Sequence, residues 1–457
     1  MKSGLHLFFV RFIYWFHLKF QGRVVLSAIV SATRNDGKVK FYTISGINPF
    51  QAPSRILLLF LFLALFSLFW LSPTSGYALD TVIWKPTPDA EEITTVGRVL
   101  TVAQDRSLLI QDRTGEIHPV EAEMLVRATR NALEFVPMTQ DELAETYLKR
   151  LPGGFQAWKT DHFIVFYKTS REYARWNGLL LERLYDAFET FWAKQGVTLT
   201  EPEFPLFCVV FPNSREYHAF ADAQGEHVGR SVIAYYSFQT NRVTCYDLSG
   251  QNDGRNHETS GNRSGNSGNR SGDGGRRVNF TTFTREMVER PDAAKQIATI
   301  IHEATHQLAH NRGLAHRYGD VPLWYNEGIA LFFESPNMKS ERGWTGIGRP
   351  NPFWLPHFKR QIPTRPEGQL EQILTNDSLF QGNATVQDAY AESWALTWFL
   401  IRTRPKQYAE FCRKMGEKPI LIWDSHEERL AEFENIFGPT EKLEKEFVRY
   451  IKIQKLK

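Results

Sequence analysis

The stretch Ile300-Ile301-His302-Glu303-Ala304-Thr305-His306-Gln307-Leu308 sets two histidines and a glutamate in an apolar run. Four residues apart, His302 and His306 share one face of a helix, about one turn from each other. Two imidazoles so placed can ligate one Zn²⁺ at roughly 2.0–2.1 Å each. Glu303 sits beside them, where a carboxylate can take a proton from water polarised by the ion. A third ligand has a candidate in Glu327, with twenty residues between it and His306. Two His and one Glu leave the fourth tetrahedral position open, as a catalytic zinc requires. The neighbours of Glu327 are Trp324, Tyr325, Ile329, Leu331, Phe332 and Phe333, so its helix reads as internal. An internal glutamate needs a partner. The competing reading, a solvated carboxylate near the positive helix end, fits those neighbours less well.

Two nearby residues carry secondary expectations. Glu334 lies seven residues past Glu327 on the same helix face. It is placed to orient a ligand histidine through the second ring nitrogen, or to enter a buried ion pair elsewhere. His310 lies two turns from His302, and each turn rises about 5.4 Å, so a straight helix cannot bring all three imidazoles to one ion. It reads as a polar residue of the helix face. Ala309 and Arg312 stand where an extended three-histidine pattern would need glycine and histidine.

These residues need elements to hold them. Pro291-Asp292 fits a helix start and Gly313 a helix stop, so one helix spans the first motif. Residues 322–334 read as a second helix. Upstream, 161–167 alternates like a strand, and Tyr173 to Gln195 is an amphipathic helix with Leu180, Leu184, Ala187, Phe188 and Phe191 on one face. A buried strand over 204–211, a short helix over 214–222 and a hairpin of 231–237 with 242–247 complete the approach to the motif. Residues 335–366 read as loop-rich. Helices are expected over 369–375, 386–402, 405–415, 425–437 and 441–453. The fold class is therefore α+β.

The chain has 457 residues, room for several domains. Residues 1–55 form a basic leader with Asp36 its one acid. Ile56 to Leu71 is uncharged and almost wholly apolar, and small residues surround Tyr77. Residues 56–78 thus read as a signal peptide or signal anchor, with membrane association through 56–71 and the bulk of the chain exported or anchored. Residues 82–128 read as a small β accessory module, with strands over 96–102 and 107–111. The catalytic-type domain is expected over 156–400. Within it, 250–278 is rich in Gly, Ser, Asn and Arg and reads as a disordered insertion. C-terminal helices occupy 401–457. The three cysteines, Cys208, Cys245 and Cys412, contain no CxxC pair and are expected to be buried and unpaired. A formal net charge of +3 argues neither for nor against nucleic acid. No phosphate loop or dinucleotide fingerprint is present, and no nucleic-acid partner is expected.

His302-Glu303-Ala304-Thr305-His306 together with Trp324-Tyr325-Asn326-Glu327-Gly328-Ile329-Ala330-Leu331-Phe332-Phe333-Glu334 resembles the gluzincin group of zinc peptidases, thermolysin and aminopeptidase relatives included. The group's second motif often reads W-x-x-E-G-x-A-x-x-x-E, and Trp324, Glu327, Gly328, Ala330 and Glu334 match it. From about Trp158 to Phe399 the chain resembles a peptidase-MA-like family of exported bacterial proteins, itself a domain of unknown function. The phrases Thr160-Asp161-His162-Phe163, Tyr235-Tyr236-Ser237, Arg242-Val243-Thr244-Cys245-Tyr246-Asp247 and Tyr390-Ala391-Glu392-Ser393-Trp394-Ala395 carry that likeness. The insertion 250–278 departs from it.

The resemblance implies a thermolysin-like catalytic domain, with a small mixed sheet, a zinc-binding helix and a helical C-terminal part. It implies one Zn²⁺ on His302, His306 and Glu327, with Glu303 as general base. It also suggests Tyr390 as the donor to the developing oxyanion; a core aromatic with a locally bonded hydroxyl is the alternative. The expected function is zinc-dependent hydrolysis of a peptide or protein substrate. A second reading is a catalytically inactive, zinc-containing binding or scaffold protein of the cell envelope. The intact Glu303 favours the enzyme. A third, a membrane-anchored structural protein with an accidental motif, would hold no metal.

Overall fold

Phe163-Ile164-Val165-Phe166-Tyr167 and Leu206-Phe207-Cys208-Val209-Val210-Phe211 are apolar throughout, the pattern of strands covered on both faces. The computed structural model describes residues 29–35, 38–43 and 78–456, apart from 227, 250–279, 291–292, 336–346 and 382–385. The signal or anchor segment before residue 78, most of the leader and the insertion 250–278 therefore lie outside the described residues. Within the leader, β1 (Ile29–Asn35) and β2 (Lys38–Thr43) pair antiparallel. Among the described residues no helix is long and apolar enough to cross a membrane.

Residues 78–134 form an antiparallel five-stranded sheet of β3 (Ala78–Trp84), β4 (Ile93–Val102), β5 (Leu108–Asp112), β6 (Ile117–Val120) and β7 (Leu125–Glu134), in the order β6-β5-β4-β3-β7. Its own core is small, with Val82, Leu108, Ile110 and Val120 at the centre. The sheet is held to the body by polar links. Arg98 Nη1 donates to Glu203 Oε1 at 2.6 Å, and the Ile117 amide donates to the Gln239 carbonyl at 2.9 Å.

The second sheet is mixed, in the order β11-β12-β10-β9-β8. β9 (Phe163–Tyr167), β10 (Leu206–Phe211) and β12 (Arg242–Tyr246) run parallel; β8 (Gln156–Lys159) and β11 (Ala234–Ser237) are antiparallel edges. The period-2 alternation sends Ile164, Phe166, Phe207 and Val209 to one face, where α1 (Gln140–Arg150) and α3 (Ser214–Ala223) cover them. Phe163, Val165, Cys208 and Val210 face the main core under α2 (Arg171–Lys194). Burying each such side chain contributes about 1.5–3 kcal/mol. All three cysteines are buried and free.

The rest is helical: α4 (Phe280–Glu289), α5 (Ala293–Asn311), α6 (Leu323–Glu334), α7 (Trp354–Gln361), α8 (Gln369–Thr375), α9 (Val386–Thr403), α10 (Pro405–Gly416), α11 (His426–Phe437) and α12 (Thr440–Ile453). The fold is thus mixed α+β. Helix α7 corrects the loop-rich reading of 335–366. Asn351 Oδ1 accepts the amides of Phe353 at 2.8 Å and Trp354 at 3.2 Å, and this Asx-type turn leads into a helix inside a segment dense in Pro and Gly.

Candidate metal centre

Helix α5 is fixed to the mixed sheet by its own polar residues as well as its apolar face. The buried Gln307 amide donates to the carbonyls of Phe207 at 3.1 Å and Asn241 at 2.8 Å. That contact sets the rotation of α5, which turns His302 and His306 toward α6. Helix α6 in turn lies close against α9, because Gly328 leaves room there. A Cβ on Gly328 would overlap Thr397 Oγ1 and lie 3.0 Å from the Ser393 carbonyl oxygen.

The three helices bring the ligand-type atoms together. His302 Nε2 lies 3.1 Å from Glu327 Oε2 and 3.1 Å from His306 Nε2, and His306 Nε2 lies 3.7 Å from Glu327 Oε2. Tetrahedral bonds of about 2.0–2.1 Å put ligand atoms roughly 3.3–3.4 Å apart, so these separations bracket a single zinc. The side chains remain 13% (His302), 7% (His306) and 14% (Glu327) exposed, which leaves a path for water.

The proton inventory makes a second test. Glu334 Oε2 lies 2.9 Å from His302 Nδ1, and a carboxylate accepts, so Nδ1 carries the proton. A neutral His302 then points a bare lone pair from Nε2 at the Glu327 carboxylate. Only a second proton or a cation makes that contact favourable. Burial pushes the His302 pKa down, but Glu327 and Glu334 outweigh it and raise it well above the ordinary imidazole range. Burial pushes Glu327 up, and the two imidazoles outweigh it and hold the carboxyl far below its usual range. The donor set fits a divalent cation with nitrogen and oxygen affinity.

Glu334 is itself held. Trp354 Nε1 donates to its Oε1 at 2.7 Å, and Asn351 Nδ2 approaches the same oxygen at 3.4 Å. The ion-pair alternative for Glu334 is thereby replaced by a hydrogen-bonded chain from Trp354 through Glu334 to His302. Trp354 and Asn351 were not marked by the sequence reading. Their signal would have been an Asn three residues before a helix start, a pattern that Pro352 obscures.

Glu303 faces the edge strand. Its Oε2 accepts the Tyr236 amide at 2.9 Å. Burial raises its pKa above the usual carboxylate value and Glu327 adds to that, against the opposing imidazoles. A carboxyl so raised is suited to take up and hand on a proton. The Tyr236 amide, being backbone, has no sequence signature.

Tyr390 is the fifth residue of α9, with its ring against Trp354 and Phe380 at centroid distances of 6.1 and 5.9 Å. The nearby Glu327 carboxylate first, then burial, Glu303 and Glu334, push its phenol far above the usual value. It stays protonated, hence a donor.

His310 lies half-buried on the helix face, as its spacing predicts. It lies against Tyr236, stacked at 5.9 Å, and Phe238, edge-on at 4.9 Å. Burial, with His306 and Arg317 adding, lowers its pKa to about 3, so it is neutral. It is not brought to the His302/His306 nitrogens, in keeping with the helical rise.

The profile of a family described as "Protein of unknown function (DUF1570)" matches residues 296–421. The matched span holds both histidines, Glu303, Glu327, Glu334 and Tyr390. Its description names no activity. No curated protein matches the chain.

Proposed function

We propose that this protein is a zinc-dependent peptidase of gluzincin type, acting outside the cytoplasm or from a membrane anchor at residues 56–78. The single observation that carries the reading is the convergence of His302 Nε2, His306 Nε2 and Glu327 Oε2 within 3.7 Å of one another, with Glu303 beside them. A zinc ion bound there would polarise a substrate carbonyl and bring the pKa of water to about 7.

The chain's own groups do the rest. Glu303 takes the proton from the attacking water and returns it to the leaving amine. The Tyr390 phenol donates to the carbonyl oxygen as charge develops on it. Glu334 holds the His302 tautomer with Nε2 free for the ion. The intact Glu303, close enough to His302, His306 and Glu327 to feel their charges, favours an enzyme over an inactive zinc-containing scaffold.

The test is metal analysis of the purified chain beside digestion of a peptide library. Glu303→Gln should retain one zinc per chain and lose hydrolysis by at least about 10²–10⁴-fold. Peptide turnover surviving in that variant would remove Glu303 as the base. Absence of bound zinc in the wild type would remove the reading altogether.

A further inference from the structure

Strand β11, which carries the Tyr236 amide that bonds Glu303, is a sheet edge of four residues paired only with β12. So short a pairing does not fix a strand by itself. What fixes it lies at the two sides of the β11–β12 turn. On the β12 side the Asn241 carbonyl accepts from Gln307 Nε2 at 2.8 Å, so α5 holds that side directly. The Tyr236 hydroxyl donates to Asn241 Oδ1 at 2.7 Å, which holds the ring but not the direction of the backbone amide.

The β11 side is held by Arg317, in the connection between α5 and α6. Its Nη1 donates to the Phe238 carbonyl at 3.1 Å and approaches that of Gln239 at 3.4 Å, while Nη2 donates to the Gly115 carbonyl at 2.8 Å. Gly115 belongs to the β5–β6 turn of the small antiparallel sheet. The same Gln239 carbonyl accepts the Ile117 amide from that sheet at 2.9 Å. Three segments far apart in sequence thus meet at one guanidinium.

The arrangement is costly and specific. Arg317 is buried, and its hydrogen bonds go to backbone carbonyls, not to a carboxylate. A buried charge is tolerated only where its hydrogen bonds are made, and burial here lowers the guanidinium pKa. The guanidinium is a rigid planar fork that grips in two directions at once, which a point-like ammonium does not. The turn it grips has no slack either. Gly115 has φ 91°, and a Cβ there would lie 2.9 Å from the Phe204 ring.

We infer that Arg317 is a positioning residue for the hydrolysis proposed above: it ties the tip of the β11–β12 hairpin to the small antiparallel sheet and thereby keeps the Tyr236 amide on Glu303. The small sheet is then a working part of the catalytic centre, not an appendage to it. The catalytic meaning of the tie rests on the peptidase reading, but the tie itself is a structural property that is read without turnover.

The experiment uses the full chain loaded with zinc, as wild type, Arg317→Met and Arg317→Lys. Met keeps the bulk and Lys adds the charge; neither keeps the fork. Amide hydrogen exchange is followed by mass spectrometry. The Tyr236 amide and the 238–240 turn should exchange at least about tenfold faster in both variants, while the β9 amides and the zinc content stay at the wild-type level. On a peptide that the wild type cuts, kcat should fall by about 10²-fold with KM little changed, the scale of a small misplacement at the reacting groups. Unchanged exchange at Tyr236 in Arg317→Met would overturn the tie. So would wild-type exchange and turnover in Arg317→Lys, because charge without the fork would then suffice. Exchange that quickens equally in β9 would make Arg317 a residue of general stability and overturn its positioning role, as would faster exchange at Tyr236 with kcat unchanged. No hydrolysis by the wild type would remove the peptidase reading, and the exchange rates would still decide the tie.

Discussion

Two groups of side chains among the described residues place three metal-ligand types within 4.8 Å of one another: His302, His306 and Glu327 in the helical body, and Asp112, Glu116 and His118 in the small antiparallel sheet. Ligand type and proximity do not separate them. What separates them is how the lone pairs are spent. Asp112 Oδ1 already accepts from the Thr114 amide at 2.8 Å, the Thr114 hydroxyl at 2.5 Å and the Glu116 amide at 3.2 Å. Arg150 lies 3.4 Å from Glu116 and 3.8 Å from Asp112, so a permanent cation is in place. That group is a hydrogen-bonded turn that carries its own counter-charge. In the other group, the external hydrogen bonds fall on Glu334 and His302 Nδ1, and the three remaining ligand atoms face each other. The lesson is that a metal centre is read from donors held away from every partner except one another.

The largest contrast follows directly. His302→Ala should take zinc from one per chain to none and abolish any hydrolysis, whereas His118→Ala should leave both unchanged. Elemental analysis of dialysed protein reads this. Two zinc ions per wild-type chain, the second lost with His118, would break the comparison.

Part of this contrast was legible before any coordinates. A four-residue spacing fixes a shared helix face, so the two histidines need no tertiary information. Glu327 was legible because a carboxylate among six large apolar residues has to be explained. The buried strands β9 and β10 and the C-terminal helices were equally plain, since long periodic or wholly apolar runs admit few alternatives. Trp354 and Asn351 were not legible, because their bond to Glu334 joins segments whose approach is decided by packing. Helix α1 and strands β3, β6 and β7 were also missed. β7 is mostly exposed and rich in charge, so no alternation marks it. The role of Gly328 is tertiary too: its neighbour Thr397 is on another helix.

The comparison sharpens at Glu334. If it is the orienting partner of a ligand histidine, Glu334→Gln should weaken zinc by about 10–100-fold in a chelator competition. Trp354→Phe, one bond further out, should weaken it less than Glu334→Gln does. An unchanged zinc affinity in Glu334→Gln would leave the His302 tautomer unexplained.

The two groups also differ in how far apart in sequence their parts lie. Asp112 to His118 is one turn and its flanks, while the metal centre needs α5, α6 and α9 at close approach. Gly328→Ala presses a methyl into Thr397 and the Ser393 carbonyl, at a cost of about 1–3 kcal/mol. Denaturation should show that loss, accompanied by weaker zinc binding as Glu327 is displaced. Thr397→Ala added to Gly328→Ala should recover part of both. A stability loss with zinc affinity intact would mean that Glu327 is positioned independently of the α6–α9 contact.

The smallest effect belongs to Asp112, and it runs through pH rather than metal. Burial raises its pKa, but the hydrogen bonds from His118 and Thr114, with the charges of His118 and Arg150, outweigh it and leave the carboxyl below its ordinary 3.8. A depressed carboxyl stabilises the fold above its unfolded pKa, and that contribution is lost as pH falls through the folded value. Asp112→Asn leaves the Thr114 and Glu116 donors and Arg150 facing an uncharged amide. It should therefore cost about 1–2 kcal/mol near neutral pH, with zinc content unchanged. The gap between wild type and variant should narrow as pH drops below about 3.8, because protonation then removes the same charge from the wild type. Urea unfolding at pH 7, 5, 4 and 3 reads the gap. A gap constant across that range would mean that Asp112 works through shape alone, and the account of its spent lone pairs would fail.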